Sequence, residues 1–240
     1  METATVTRSH VGCRRKINED SVLARPDLRL WAVADGMGGH SFGDVASAMV
    51  VDGLATAPPG LGLDAAIDAA RERLDRVNAQ LVAMGGEGPQ RKTIGSTVVA
   101  LLLDERAFTC LWAGDSRIYL VRNGSLRQLT RDHSLVQMMI DVGELTPEQA
   151  RDHPNANVIT RAVGSTQRLE LDLAAGPLWG GDLFLLASDG LTRLVDDQEL
   201  LGALEAERLE QSADGLLQTC LERGAPDNVS FVLVRLSPAA

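Results

Sequence analysis

The sequence is poor in cysteine, aromatic side chains and positive charge, and each shortage excludes a class of protein. Its three cysteines, Cys13, Cys110 and Cys220, lie far apart and form no CxxC pair. The pattern therefore predicts neither a disulfide framework nor a zinc cluster, and it fits the reducing cytoplasm. Aromatic residues make up 3% of the chain, and 23 lysines and arginines stand against 33 aspartates and glutamates. The net charge of −10 argues against nucleic-acid binding, because phosphate backbones are held by clustered basic side chains.

Long hydrophobic runs are missing as well. No window approaches the roughly 18 uncharged apolar residues of a membrane span, and METATVTRSHVGCRRK contains no apolar core of a signal peptide. We therefore expect no membrane association. The chain has 240 residues, of which 45% are hydrophobic, so it can bury one substantial core without a partner. The composition favours a single domain over residues 1–240, and we expect a monomer.

The middle of the chain contains four β-rich runs joined by very short connections. Asn123-Gly124, in the last connection, favours a type I′ hairpin turn. Parallel strands would need crossovers of about a dozen residues or more, so the sequence predicts an antiparallel sheet instead of a doubly wound nucleotide-binding fold. The runs are residues 95–103, 107–113, 117–121 and 126–129.

Hydrophobic spacing predicts the elements on either side of this region. Two short strands are expected before residue 30, and further strands are predicted over 30–34, 182–188 and 229–236. Residues 133–165 have a helical and irregular pattern, in which Thr146 is the N-cap of a short helix, Pro147 its first residue, and Gln149 completes a capping box with Thr146. Met138 and Met139 fit either core packing or a mobile cover over a site. Longer helices are predicted over 45–54, 64–84, 198–207 and 212–222.

The stretch LWAVADGMGGHSFGD, from Leu30 to Asp44, places a carboxylate at the end of a buried strand. Asp35 is the first polar side chain after the hydrophobic run. The glycines that follow it allow main-chain groups to approach a ligand that Asp35 also reaches. A carboxylate beside exposed backbone carbonyls suits a hard cation.

Three other aspartates have the same setting, at the end of a hydrophobic strand and beside glycine or another small residue. They are Asp115 after CLWAG, Asp189 after LFLLAS, and Asp227 before VSFVLV. One such aspartate alone is an ordinary turn residue. If the strands lie side by side, the four carboxylates converge at one edge of the sheets, and their repulsion requires cations. Oxygen ligands without an HxH or HExxH motif favour Mg²⁺ or Mn²⁺ over zinc, and two such ions could activate a water towards a phosphoester.

Other chemistries have weaker signals. The sequence contains neither GxxxxGK[ST] nor GxSxG, so it predicts neither a P-loop nor a serine hydrolase. Asp132-His133-Ser134 contains the residue types of a catalytic triad, but neighbours in sequence cannot form its geometry, and we interpret them as loop residues. Taken alone, the run from Arg14 to Asp20 reads as a charged surface turn.

In this order, the motifs resemble those of the metal-dependent PPM (PP2C-type) serine/threonine protein phosphatases, in particular the compact bacterial members. The resemblance covers nearly the whole chain. It implies an α+β fold, an αββα sandwich of two antiparallel β-sheets flanked by helices, with a dinuclear metal site at one edge. The matching segments are Arg15-x-x-Asn18-Glu19-Asp20, Val33–His40, Gly95–Thr97, Gly114–Arg117, Leu129–Ser134, Ser188–Leu191 and Asp227–Val229.

The resemblance implies that each chain binds two Mn²⁺ or Mg²⁺ ions. Asp35 matches the ligand that bridges both metals, and the Gly36 carbonyl matches a ligand of one of them. Asp189 and Asp227 complete the set of the other metal. Asp115 matches an additional aspartate that, with Asp189, forms a third and weaker site.

The remaining assignments surround these ligands. Arg15 matches the phosphate-binding arginine, and a guanidinium can bind two phosphate oxygens at once. Glu19 and Asp20 match residues that hold metal-bound waters, and Asn228 matches one that braces the Asp227 turn. His40 lies where a general acid for the leaving alkoxide, or a substrate contact, could sit. Catalysis is thus assigned to Arg15, Asp35, His40 and Asp189, and substrate binding to Arg15 and His40.

The function implied by the resemblance is hydrolysis of phosphoserine and phosphothreonine in proteins, by direct attack of a hydroxide that bridges two metals. The expected partners are phosphorylated proteins and a cognate Ser/Thr kinase with its substrates. Residues 133–161 match the family's flap, which is thought to influence substrate choice. Two alternatives remain open, a dinuclear phosphodiesterase for small molecules or nucleotides and a catalytically silent phosphoprotein-binding module.

Overall fold

The computed structural model describes residues 2–38, 42–86, 92–151, 153–205 and 208–237. Within these ranges, none of the helices has the length and hydrophobicity of a membrane span. A short 3₁₀ helix, Pro26–Leu28, precedes the third strand. The α-helices are α1 (Gly43–Ala55), α2 (Leu63–Met84), α3 (Leu135–Asp141), α4 (Pro147–Arg151), α5 (Asp189–Thr192), α6 (Asp197–Leu204) and α7 (Leu209–Glu222).

The strands form two sheets in which every paired neighbour is antiparallel. One sheet has the order β1-β11-β10-β7-β8, and the other has the order β2-β3-β5-β6-β9, with β4 also paired to β3. The strands are β1 (Thr3–His10), β2 (Asp20–Arg25), β3 (Leu30–Met37), β4 (Gly95–Ser96), β5 (Val98–Leu103), β6 (Ala107–Ala113), β7 (Arg117–Arg122), β8 (Ser125–Gln128), β9 (Asp172–Pro177), β10 (Leu183–Ala187) and β11 (Val229–Leu236).

The central strands are hydrophobic on both faces because both faces of each sheet are covered. In β3, Trp31 and Val33 pack in the cluster between the two sheets. Their neighbours Leu30 and Ala32 point the other way, into the cluster formed with α1 and α2. The opposite sheet buries its outer face against α5, α6 and α7. Helices, sheet, sheet and helices therefore form four layers, which confirms the predicted αββα sandwich of class α+β.

Turn chemistry also follows the sequence. Asn123 and Gly124, between β7 and β8, both have positive φ, 52° and 69°. This is the backbone conformation of a type I′ turn, as predicted from the Asn-Gly pair. The capping box of α4 is present too: Gln149 N donates to Thr146 Oγ1 at 3.3 Å, and Thr146 N donates to Gln149 Oε1 at 2.8 Å.

Three details of the strands differ from the prediction. The strand that begins at Leu30 continues to Met37, so Asp35 lies inside β3 and not beyond its end. The predicted strand over 95–103 is interrupted at Thr97. The edge strand Asp172–Pro177 was not predicted, because its sequence DLAAGP has little β propensity and its pairing with β6 is a tertiary feature.

The predicted flap, residues 133–161, carries α3 and α4. Helix α3 has no buried residue, and Met138 is 54% exposed. The interpretation of Met138 as core packing is therefore wrong. Ser134 begins α3 by accepting a hydrogen bond from Gln137 N.

Candidate active site

Asp35 is held in place through its backbone. Its N–H donates to Thr97 Oγ1 at 3.0 Å, and its carbonyl accepts from Thr97 N at 2.8 Å and from Ser96 Oγ at 3.0 Å. Across the β2–β3 pair, Asp35 stands opposite Asp20. The interruption of the predicted strand at Thr97 thus serves to fix the position of the Asp35 carboxylate.

Asp115 lies in the tight turn between β6 and β7. Gly114, which precedes it, has φ +119°, and a Cβ there would come within 2.6 Å of the Thr97 side chain. The Thr97 and Ser116 hydroxyls are 2.8 Å apart and buried, which links this turn to the backbone of Asp35. Asp115 is 5% exposed, and its Oδ1 has no hydrogen-bond partner among the described residues.

Asp189 is the first residue of α5 and is separated from the end of β10 by one residue. Ser188 precedes it and donates from Oγ to Asp20 Oδ2 at 2.9 Å, so the end of β10 is tied to the start of β2. Ser188 Oγ also accepts from Ser230 N at 3.1 Å. The Ser188 hydroxyl thus connects the elements from the two sheets that carry Asp20 and Asp189.

Asp227 and Arg15 form the outer rim of the site. Arg15 Nη2 donates to Asp227 Oδ2 at 2.8 Å, and the side chains are 49% and 39% exposed. Both groups are accessible to solvent, unlike Asp20 and Asp115. A ligand that reaches the site from solvent can therefore contact Arg15.

Asn228 ties the N-terminal segment to the strand that follows Asp227. Its side chain accepts from Glu19 N at 2.8 Å and donates to Val11 O at 2.9 Å and Ile17 O at 3.0 Å. Its backbone N–H donates to Asp227 Oδ1 at 2.9 Å. Asn228 thus braces more than the Asp227 turn, because it also fixes the segment that carries Arg15.

Gly36 lies at a close approach of three backbone segments. Its N–H donates to Glu19 O at 3.0 Å, and an added Cβ would come within 1.9 Å of Gly43 O. The carboxylate of Glu19 lies against the start of α1, since a Cβ on Gly43 would be 2.4 Å from Glu19 Oε1. This packing therefore requires glycine at both positions 36 and 43.

Burial and mutual repulsion raise the pKa values of the buried carboxyl groups. Burial raises the pKa of Asp35 well above its usual range, and the charges of Asp20, Asp189, Asp115 and Asp227 raise it further. Four carboxylates therefore raise the pKa of Asp35. Three of them, Asp115, Asp189 and Asp227, are the strand-end aspartates of the sequence pattern, so the structure brings that group together.

The neighbours of Asp35 are shifted for the same reason. Burial raises the pKa of Asp20 to about 7, and hydrogen bonds from Ser230 and Ser188 oppose this shift in part. Burial and the charge of Asp189 raise the pKa of Asp115 to about 7. Burial also raises the pKa of Asp189, while Arg193 acts against the shift.

This donor set fits hard divalent cations. The groups are carboxylate oxygens that repel one another, and one buried oxygen, Asp115 Oδ1, lacks a hydrogen-bond partner within the described ranges. In the same ranges, no three His, Cys, Asp or Glu side chains form a complete metal-binding cluster. Mg²⁺ commonly keeps several waters and uses only one or two protein carboxylates, so such a cluster is not required for it to bind.

The sequence motifs also include His40 and the Asp132-His133-Ser134 run. His40 lies outside the described residues. The side chains of Asp132, His133 and Ser134 contact three separate partners. Asp132 pairs with Arg117 at 2.8 Å, His133 contacts Asp172 at 3.1 Å, and Ser134 accepts from Gln137 N at 3.2 Å. These contacts hold β7, β9 and α3 in place, and they are not those of a catalytic triad.

A cavity of about 370 Å³ opens beside Asp115 and Asp189. Val136, Ile140 and Arg151 of the flap line this cavity, and so does Arg193. The carboxylates and the flap thus share one concave surface.

Sequence reasoning missed several residues that support the site. They share a simple signal, which is a position in one of the family motifs or within a few residues of a candidate aspartate. They are Thr97, Ser116, Ser188, Arg193 and Ser230.

Comparisons with known proteins identify the family. The profile of the Protein phosphatase 2C family matches residues 10–233. PstP, a serine/threonine protein phosphatase of Mycobacterium tuberculosis, is 40% identical over 229 residues, which cover 94% of this chain but only 43% of PstP. This chain thus spans less than half of that relative's length.

Solved structures agree with this match. PppA, a key regulatory component of T6SS in Pseudomonas aeruginosa, has a TM-score of 0.90 and 42% identity, with 98% of both chains covered. The catalytic domain of a PstP in complex with two manganese ions has a TM-score of 0.87 and 37% identity, again with 98% of both chains covered. The predicted resemblance is therefore confirmed, and the chain belongs to the protein phosphatase 2C family of metal-dependent serine/threonine protein phosphatases.

Proposed function

We propose that this chain hydrolyses phosphoserine and phosphothreonine in proteins with the help of bound divalent metals. One observation carries the proposal: Asp20 and Asp115 are buried, Asp35 and Asp189 are partly buried, and the pKa values of all four are raised by burial and repulsion. A fold that buries such a cluster loses stability unless cations compensate it. The cluster is therefore best understood as a binding site for metal ions.

Asp35, the Gly36 carbonyl, Asp189 and Asp227 would hold two ions, Mn²⁺ or Mg²⁺, and Asp115 with Asp189 would contribute to a third, weaker site. When bound, these ions would lower the pKa of a water and neutralise charge on the phosphoryl oxygens. The protein's part is to hold the carboxylates at fixed positions. Thr97 does so for Asp35 by accepting a hydrogen bond from its N–H with Oγ1 and donating one to its carbonyl from the backbone N–H.

Arg15 would bind the substrate phosphate. Its guanidinium is half exposed and has a single ion-pair partner in the described structure, the partly exposed Asp227. A phosphate offers the same fork geometry with more charge, so it would compete well for Arg15. Asn228 supports this role, because it fixes the segment between Val11 and Glu19 that carries the arginine.

Glu19 and Asp20 would hold the waters of the bound ions. Asp20 already accepts a hydrogen bond from Ser188 with one oxygen, and its position opposite Asp35 leaves its charge close to the proposed metal ligands. His40 would either protonate the leaving alkoxide or contact the substrate, and its assignment rests on sequence alone.

We further infer that residues 1–240 form a single catalytic domain with a flap at 133–161. The family match over residues 10–233 supports one domain. The shared cavity supports a contribution of the flap to substrate choice, because its residues line the space beside Asp115 and Asp189. We expect a cytoplasmic monomer whose partners are phosphoproteins and a cognate Ser/Thr kinase, without affinity for nucleic acid or membrane.

Phosphate release from phosphothreonine and phosphotyrosine peptides of matched sequence tests the proposal. With Mn²⁺ we expect turnover that favours phosphothreonine, and with excess chelator we expect none. Turnover of a phosphodiester but of neither peptide would instead favour a phosphodiesterase. Binding of the phosphopeptides without any turnover, in folded protein with metal bound, would favour a silent binding module.

A further inference from the structure

Arg193 lies between two candidate metal ligands and the flap. Its Nε is 2.9 Å from Asp189 Oδ2, and its Nη2 is 3.6 Å from Asp115 Oδ2. The same guanidinium donates to the Asn157 side chain and to Ala156 O. One positive group therefore joins the ends of two strands, through their aspartates, to residues 156 and 157 of the flap.

The charge of Arg193 compensates part of the repulsion in this corner of the site. It opposes the upward pKa shifts that burial and neighbouring carboxylates impose on Asp115 and Asp189. The compensation is incomplete, since Asp115 Oδ1 is buried and has no hydrogen-bond partner among the described residues. One carboxylate oxygen that could bind a metal ion, Asp115 Oδ1, is thus not used by the guanidinium.

We propose that Arg193 is a built-in cation that competes with a third divalent ion for Asp115 and Asp189, and that binding of this ion releases the flap. The inference rests on the metal-binding role proposed for these two aspartates. It adds that the chain itself supplies the competitor, so that occupancy of the weak site is coupled to the flap.

Competition follows from charge and space. A divalent ion bound by Asp115 and Asp189 would repel a guanidinium 2.9 Å from Asp189 Oδ2, and both would need the same carboxylate oxygens. The ion would also gain Asp115 Oδ1, which Arg193 leaves unpaired. Displacement of Arg193 then breaks its contacts with Ala156 and Asn157.

Release of these contacts would loosen one part of the flap and leave its base attached. The base is held by Thr160 N, which donates to His133 O at 2.8 Å, and by Arg161, which pairs with Asp172 at 2.9 Å. Neither contact involves Arg193. The coupling is therefore expected to be local to the segment around residues 153–157, beside the cavity.

Manganese titration of the full chain, followed by the electron paramagnetic resonance signal of free Mn²⁺, tests the competition. Arg193→Met removes the charge and keeps an apolar stem of similar length. We expect the third equivalent of Mn²⁺ to bind about tenfold more tightly to this variant than to the wild type. Arg193→Lys, which keeps the charge but not the planar fork, is expected to lie between them. Arg223→Met, which breaks a surface pair with Glu199, is the matched control and should titrate like the wild type.

Hydrogen exchange of the peptide that contains residues 153–161 tests the coupling without any measurement of activity. In the wild type, exchange should rise when Mn²⁺ reaches the concentration that fills the third site. In Arg193→Met it should already be high without Mn²⁺ and should not respond further. Identical Mn²⁺ titrations of the wild type and Arg193→Met, or exchange that ignores Mn²⁺ in the wild type, would overturn the inference. Either result would leave the proposed phosphatase activity intact, so the Arg193 proposal can fail without the proposed function failing.

Discussion

Strand β10 has an aspartate at each end, and the two are treated in opposite ways. Asp182, before the strand, is 1% exposed and accepts two hydrogen bonds from Arg122, at 2.7 and 2.6 Å. Trp179 N donates to it at 2.8 Å, and the Arg122 guanidinium lies 4.2 Å from the centre of the Trp179 ring. Asp189, after the strand, instead shares its surroundings with other carboxylates, and burial raises its pKa.

The difference separates a structural carboxylate from one that is kept for a ligand. Asp182 has its own arginine in a planar, two-bond arrangement, so its charge is compensated within the fold. At the other end, burial raises the pKa values of Asp20, Asp35, Asp115 and Asp189, and Arg193 opposes this shift only in part at Asp115 and Asp189. The fold therefore compensates the charge of Asp182 fully and leaves the carboxylates around Asp189 partly uncompensated. Bound cations are expected only at the Asp189 end of β10.

Replacement of Asp189 by asparagine is expected to have the largest effect on activity. If Asp189 binds metal, Asp189→Asn removes several kcal/mol of transition-state stabilisation, a loss of about 1,000-fold or more in kcat/KM. The free energy of unfolding of the metal-free protein should not fall, because one repelling charge is removed. Phosphopeptide turnover and urea unfolding measure the two effects, and turnover within threefold of the wild type would remove the metal assignment.

Asp182→Asn should give the reverse pattern, with a large loss of stability and little loss of activity. It leaves the Arg122 guanidinium facing an amide, and a broken buried ion pair costs about 3 kcal/mol at the lower end of the usual range. Urea unfolding should detect the loss, while kcat/KM of the folded protein stays near the wild type. If both variants lost stability equally, the distinction between the two ends of β10 would be wrong.

The sequence predicts the fold class and the candidate aspartates because the signals for both are local. Alternating and continuous hydrophobic runs identify the strands, the Asn123-Gly124 pair identifies its turn, and each candidate aspartate is marked by the strand beside it. The family motifs add their order along the chain. Together these features were sufficient for the fold class and for the group of carboxylates that the structure brings together.

The parts that sequence reasoning missed depend on contacts between distant segments. Strand β9 is defined by its pairing with β6, since DLAAGP alone resembles a loop. Thr97 supports Asp35 across 62 residues, and Arg193 reaches the flap 36 residues away, so neither role has a local pattern. Asp182 shows the converse, because its sequence position at a strand end does not reveal that Arg122 neutralises it.

Metal addition should stabilise the protein through Asp189 and not through Asp182. An ion at about 100 times its dissociation constant stabilises the folded state by about 2.7 kcal/mol, or roughly 5–10 °C in Tm for a chain of this size. Calorimetry with Mn²⁺ and with chelator should show this shift in the wild type and in Asp182→Asn. In Asp189→Asn we expect less than half of it, and an undiminished shift would place the metal elsewhere.

The smallest expected effect concerns the backbone that positions Asp189. Gly190 lies in α5, and an added Cβ would come within 1.8 Å of Asn228 O, whereas Gly202 in α6 has nothing within 4 Å of that position. Gly190→Ala should therefore cost about 1–3 kcal/mol through overpacking, and Gly202→Ala should gain about 0.5–1 kcal/mol because alanine is the better helix former. The Gly190 variant should also weaken Mn²⁺ binding, since Asp189 and Asn228 would have to separate. Equal stability of the two variants in urea would mean that the Asp189 end of β10 tolerates movement, which a fixed metal ligand would not.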